Sequence, residues 1–205
     1  MGRRSLAAER RQQVMEAASR CMATYGLAGT TLEKIAEESG LSRSHVRHYV
    51  GNRDDLLLAL VEWVQERDDR AFAAAVAEAP PAQRLAVAMD HLFGSWFLGA
   101  GDEGAVILEL VKAGRSDETL REAMMSGYRL MLGAIESALA AEFPDSTPPA
   151  RRSTAYGLLC LAIGNAMMSD LDRPLGSGGL IRVAGEALVA QLGAVTAGGA
   201  TTARD

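Results

Sequence analysis

Between Ser42 and Val50 of this 205-residue chain, two arginines, two histidines and a serine sit around two valines at helical spacing. Val46 and Val50, at i and i+4, fall on one face, which leaves Arg43, Ser44, His45, Arg47 and His48 on the other. A helix this short with two Arg and two His outward adds little to a core. It fits a major groove, where Arg donates to guanine O6 and N7 while flanking groups hold phosphates. The chemistry implied is recognition rather than bond-making. No G-x-S-x-G, P-loop or dinucleotide glycine fingerprint appears in the sequence. His45 and His48 lack a Cys or carboxylate at ligand spacing, so no metal and no other cofactor is expected. The paired carboxylates Glu37-Glu38 and Asp68-Asp69 are simplest as solvated helix faces. The alternative is an all-helical enzyme or carrier whose N-terminal region only resembles a DNA module; salt-dependent duplex binding separates the two.

The elements that must carry these residues all read as helix, because apolar positions recur at helical spacing and strand alternation is missing. A first helix is predicted from about Ala7 to Tyr25, stopped by Gly26. A second begins at Thr30 or Thr31, where Thr30-x-x-Glu33 has capping-box spacing, and ends at Gly40. Ser42 caps the short third helix, and Gly51-Asn52 breaks it. Asp54 and Asp55 favour the start of a long fourth helix that runs to Pro80-Pro81. Further helices are expected at about Ala82–Leu98, Ala105–Ala113, Asp117–Phe143, Pro149–Leu171 and Leu180–Leu192. The fold class is therefore all-α: a three-helix helix-turn-helix domain (1–53), then a second helical domain (54–195). The Gly-, Thr- and Ala-rich end, 196–205, is expected to be a disordered tail.

Charge supports this division. Residues 1–53 hold nine Arg or Lys against five Glu, or +4, and the rest holds twelve against twenty-one, or −9, giving the chain's −5. A basic module on an acidic body binds DNA locally and stays soluble. Cys21 and Cys160 stand far apart without a CxxC partner, which predicts reduced, buried thiols. The N-terminus enters charged sequence rather than an apolar stretch, so a cytoplasmic protein without a membrane partner is expected. The basic arm, Arg3-Arg4 with Arg10-Arg11, is either a phosphate or minor-groove contact or a plain solubilising tail.

The stretch Thr30–Leu57 resembles the DNA-binding domain of the tetracycline-repressor (TetR) family. The matching elements are Thr30-Thr31, Ile35-Ala36, Gly40-Leu41-Ser42, His48-Tyr49, Arg53 and Asp54-Asp55-Leu56. The resemblance implies that Arg43, Ser44, His45 and Arg47 read bases. It implies that Thr31, His48, Tyr49 and Arg53 hold phosphates, Thr31 from a helix N-terminus suited to anions. Many relatives carry Tyr where Arg47 stands and Phe where Val50 stands. Operator sequence therefore cannot be borrowed from them, and Tyr49, the one aromatic of this helix, is either core or contact.

In the C-terminal body, Met89, Phe93, Trp96, Met124 and Tyr128 belong to a Met- and aromatic-rich set over several helices. They either fill a core or line a pocket for an unknown, largely apolar effector, as the resemblance implies. Glu109, Asp90, His91 and Asn165 are candidates for polar contacts to it. The last two helices have almost no polar face, and a helix apolar all round must be covered on both sides. A homodimer joined through Leu159, Ile163, Met167, Ile181 and Leu188 is the expected cover. The expected function is a ligand-responsive repressor of a palindromic double-stranded DNA operator.

Overall fold

Among the described residues every regular element is helical. The structure is a computed structural model and describes residues 2–94, 103–171 and 178–201. The order is α1 (Gly2–Gly29), α2 (Leu32–Ser39), α3 (Arg43–Val50), α4 (Arg53–Arg67) and α5 (Asp69–Glu78). After a 3-10 turn at Pro81–Gln83 come α6 (Arg84–Phe93), α7 (Glu103–Gly114), α8 (Glu118–Glu142), α9 (Pro148–Leu171) and α10 (Gly178–Thr201). No helix among the described residues is long and apolar enough to cross a membrane.

The chain forms two compact units. The first takes residues 1–67 and 101–127, so it contains α1–α4, α7 and the start of α8. Its core is built from Val14, Met22, Ile35, Val46, Leu60, Trp63, Val106 and Leu110. The boundary expected after residue 53 falls within the first turn of α4, inside this unit. The second unit takes 68–100 and 128–205 and packs α5, α6, the rest of α8, α9 and α10 around Phe72, Leu92, Ile135, Leu139 and Leu158.

The expected long fourth helix is two helices, broken at Asp68 (φ −106°, ψ −62°). Leu56, Leu57, Leu60, Val61 and Val64 of α4 serve the first core, whereas Phe72 and Val76 of α5 serve the second. One straight helix does not have to serve both stripes when the chain can turn between them. Helix α10 continues past the expected end at Leu192 to Thr201, into the segment read as a tail. The backbone of α1 is helical from Gly2, several residues ahead of the expected start.

Local chemistry sets the other ends. At Gly26 the backbone leaves helical geometry (φ 66°, ψ 177°). Gly40 takes the left-handed conformation (φ 67°), and the Leu41 N–H donates to the Ala36 carbonyl at 3.1 Å, closing α2. The cap of α2 is Thr31, whose Oγ1 accepts from the Lys34 N–H at 3.2 Å. Thr30, the other candidate, is buried and instead donates its hydroxyl to the Gly26 carbonyl at 2.8 Å.

Candidate nucleic-acid interface

Helix α3 stands on the first core through Val46 and Val50, both buried. Arg43, Ser44, His45, Arg47 and His48 are all exposed, as the spacing predicts. Ser42 caps the helix: its Oγ accepts from the His45 N–H at 3.3 Å and lies 3.1 Å from His45 Nδ1. That contact holds one ring nitrogen of His45 at the helix start. Tyr49 is half-buried against the first core, with its ring edge-on to His48 at 5.2 Å between centroids. Of the two readings left open for Tyr49, the packing favours core.

Arg43 Nε lies 2.6 Å from Glu33 Oε1 on α2. Both side chains are well exposed, and such a pair is worth only about 0–1 kcal/mol. It leaves the Arg43 guanidinium easily released. Arg20 is paired with Glu38 at 2.7 Å, which uses this basic residue to tie α1 to α2.

Three further contacts brace the module, and periodicity gave no sign of them. Gln13 Nε2 donates to the Ser39 carbonyl at 2.6 Å, and Trp63 Nε1 donates to Gln12 Oε1 at 3.0 Å. Asn52 Oδ1 accepts from the N–H groups of Asp54 and Asp55, while Asp55 Oδ2 accepts from the Asn52 N–H at 2.9 Å. This reciprocal cap starts α4 and so places Arg53. Arg53 is exposed and donates Nη2–H to the Leu27 carbonyl at 2.8 Å. Thr31, half-buried, spends its Oγ1 lone pair on its own helix and keeps the hydroxyl proton to donate elsewhere. The backbone of residues 3 and 4 is helical, and Arg10 donates to Gln13 Oε1 at 2.7 Å.

Comparison with known proteins agrees with this geometry. The model of bacterial regulatory proteins of the tetR family matches residues 14–60, from the middle of α1 into α4. The transcriptional regulator BetI of Burkholderia thailandensis is 31% identical over 166 residues, covering 76% of this chain and 78% of its own. The chain belongs to the TetR family. It is a TetR-family transcriptional regulator with an N-terminal DNA-binding domain. The whole fold is shared with a transcriptional regulator from Pseudomonas aeruginosa PAO1, at a TM-score of 0.78, 22% identity and 91% coverage of both chains. A regulator from Saccharomonospora viridis in complex with choline aligns at a TM-score of 0.73 and 18% identity, over 89% of this chain and 96% of that one.

In this TetR-family chain the expected effector set divides. Met89 and Phe93 are buried in the core of the second unit, and Tyr128 packs against it half-buried. Met124 packs on the first core instead, one turn earlier on α8, so it does not join them. Trp96 lies outside the described residues. Of the polar candidates, Glu109 belongs to the first unit and accepts the Leu27 N–H, and Asp90 pairs with Arg182 at 2.6 Å on the surface. His91 and Asn165 do sit in the second unit, with His91 4.6 Å from the Phe72 ring. Burial pushes the His91 imidazole down to about 4. Burial, and then the neighbouring Asp68 carboxylate, push Asp69 up to about 6. Tyr128 is raised by burial and by Asp69.

The expected interface residues are largely turned inward. Leu159 is 3% exposed within its own core, and Ile163, Ile181 and Leu188 pack half-buried against that core. Met167 is also half-buried. The uncovered apolar positions are Tyr156 and Met168 on α9, with Leu180 and Val183 on α10. Ala184, Ala187, Ala190 and Ala194 continue the α10 face. Cys160 is exposed on α9, contrary to the expectation of two buried thiols, whereas Cys21 is buried. An apolar helix gives no moment by which to tell its covered side from its open one.

Proposed function

We propose that this regulator is a ligand-responsive repressor: a two-fold dimer that occupies an inverted-repeat operator and leaves it when a small, largely apolar effector binds. The observation that carries the DNA half is α3, with two Arg and two His exposed above two buried valines. Arg43, Ser44, His45 and Arg47 read base edges; Thr31, His48 and Arg53 hold phosphates. Tyr49 contributes mainly packing.

The effector is assigned to the second unit, near Met89, Phe93 and Tyr128. An adaptable Met and ring surface suits an apolar ligand, and the half-buried His91 and Asp69 add polar handles. The choline complex of a similarly folded regulator supports small-molecule binding by this architecture. The dimer is assigned to the open faces of α9 and α10, with Arg182, Asp90 and Glu186 as polar rim. Two-fold symmetry presents two α3 helices, which fit successive major grooves when they are about 34–36 Å, or a multiple, apart.

Duplex binding measured across a salt series tests the assignment. Arg47→Ala costs about 1–3 kcal/mol and relaxes specificity at one base pair. Arg53→Ala weakens specific and non-specific binding together and lowers the salt slope by about one unit. An intact protein with no salt-dependent duplex binding would refute the DNA reading. An Arg47→Ala variant that ranks operators as the parent does would refute the base-reading role.

A further inference from the structure

The peptide groups on either side of Leu27 are held by two distant charged side chains. The Leu27 N–H donates to Glu109 Oε2 on α7 at 2.8 Å, across 82 positions of sequence. The Leu27 carbonyl accepts from Arg53 Nη2 at the start of α4 at 2.8 Å. Gly26, just before it, adopts φ 66°, and a Cβ there would stand 3.6 Å from the same Glu109 oxygen. The turn continues directly into the DNA-facing segment. The Thr30 N–H and hydroxyl both return to the Gly26 carbonyl, at 3.2 and 2.8 Å, and Thr31 then caps α2. Both proposed phosphate contacts of this rim, Thr31 and Arg53, are thus suspended from one four-residue turn.

The turn is closed by Thr30 at its far end, while the N–H of Leu27 is held from outside it. Its backbone has left helical geometry at Gly26, and a glycine there has more freedom to lose than any other residue. Leu27 is only half-buried. A part-buried carboxylate accepting a backbone N–H is a charge-assisted bond, stronger than a neutral one. Glu109 itself is firmly placed, because Val106 and Leu110 beside it on α7 are buried in the first core. Its other charged neighbour, Lys112, is 3.8 Å away and mostly exposed. Arg53 has five N–H donors, so the one spent on Leu27 orients the guanidinium and leaves the others for a phosphate.

We propose that Glu109 is a positioning residue for operator binding: by clamping the Leu27 N–H it fixes the turn from which Thr31 and Arg53 reach the DNA backbone. The proposal rests on the reading that these two residues hold phosphates. It adds an acidic residue that touches no DNA yet sustains affinity, the opposite of what its charge alone would do. Charge loss by itself strengthens binding to a polyanion, and it is common to Glu109→Ala and Glu109→Gln. Only Gln keeps an oxygen that accepts from Leu27, so the difference between the two variants isolates the clamp.

The test measures Leu27 amide exchange, operator affinity and salt slope in the full-length protein and its Glu109→Ala, Glu109→Gln, Lys112→Ala and Arg53→Ala variants. Glu109→Ala/Arg53→Ala is included as the double variant. Glu109→Ala should speed Leu27 exchange and weaken operator binding by about tenfold, the equivalent of one charge-assisted bond. Its salt slope should fall by up to about one unit, with the ranking of operator variants unchanged. Glu109→Gln should restore most of the protection and affinity, and Lys112→Ala should change neither. The double variant should bind worse than Arg53→Ala by less than the full Glu109→Ala loss, because only the Thr31 contact is left to lose. Equal losses for Ala and Gln with Leu27 still protected would overturn the proposal, as would fast Leu27 exchange with parental affinity and slope. If Arg53→Ala leaves the salt slope at the parental value, the phosphate reading fails first. A normal Arg53→Ala defect beside a silent Glu109→Ala refutes the Glu109 role alone.

Discussion

Replacing Val183 by Asp tests the dimer face at a position where the fold itself has little to lose. Val183 is 64% exposed within one chain. Substitutions at such surface positions usually shift stability by no more than about 0.5 kcal/mol. If a second copy covers this face, the accounting differs. Full burial of a valine is worth roughly 1.5–3 kcal/mol, and about two-thirds of that is left for the partner to supply, or about 1–2 kcal/mol per protomer. Two-fold symmetry repeats every contact, so the loss is about 2–4 kcal/mol before the aspartates are considered. Each aspartate must also be desolvated without a cation, which adds at least another 1–2 kcal/mol. The total, about 4 kcal/mol or more, raises the dimer dissociation constant by about 10³ or more. Sedimentation from nanomolar to tens of micromolar measures it directly, with far-ultraviolet circular dichroism to confirm that the helices persist. Operator binding should fall in parallel, because two half-sites are no longer held by one particle. A Val183→Asp protein with the parental dimer constant would refute the assignment of this face.

Leu159→Ala should behave in the opposite way, costing roughly 2–5 kcal/mol of stability in chemical denaturation. A near-neutral result would show that Leu159 is not the core residue its 3% exposure indicates. Thr31→Ala removes the cap of α2 and should cost about 0.5–2 kcal/mol, read as a lowered thermal midpoint, with Thr31→Ser recovering most of it. Asp69→Asn should stabilise the protein at pH 7 by about 1–2 kcal/mol, after discounting for partial solvent access. The folded state binds this proton more tightly than the unfolded chain, so the ionised carboxylate costs stability above about pH 6, and the cost vanishes below about pH 4. The gain from Asn should therefore shrink as pH falls through that window; a gain independent of pH would contradict it. His91, lowered to about 4, works the other way. Its neutral ring supports the fold fully above about pH 6.5, and that support is lost as pH falls toward 4. His91→Phe should flatten the acid limb of stability, as measured by denaturation between pH 4 and 7.

What was legible from the residues alone was what short-range chemistry decides. The outward set on α3 follows from Val46 and Val50 four positions apart, and Gly40, Ser42 and Gly51 punctuate it within a few residues. No distant part of the chain is needed for those decisions, so the exposed residues of α3 could be named before any coordinates. The Thr30–Thr31 choice was not decided this way, since both hydroxyls have cap chemistry and only the path of the Gly26 turn selects between them.

Where a choice depended on which of two apolar surfaces is covered, the sequence by itself left it open. The stripes of α4 and α5 look continuous, yet two separate cores divide them at Asp68. Met124 and Tyr128 are one helical turn apart on α8 and serve different units. On α9 and α10 apolar residues lie on almost every face, so periodicity did not decide whether Leu159 or Tyr156, Ile181 or Val183, lies inside. The Glu109–Leu27 bond joins positions 82 apart that share no pattern. The sequence by itself determined the helical class, the punctuation at Gly40, Ser42 and Gly51 and the polar face of α3, because those follow from neighbours within about one turn. Only the tertiary structure decided the division into units, the open face of α9 and α10 and the clamp on Leu27, because burial and long-range pairing are properties of packed neighbours.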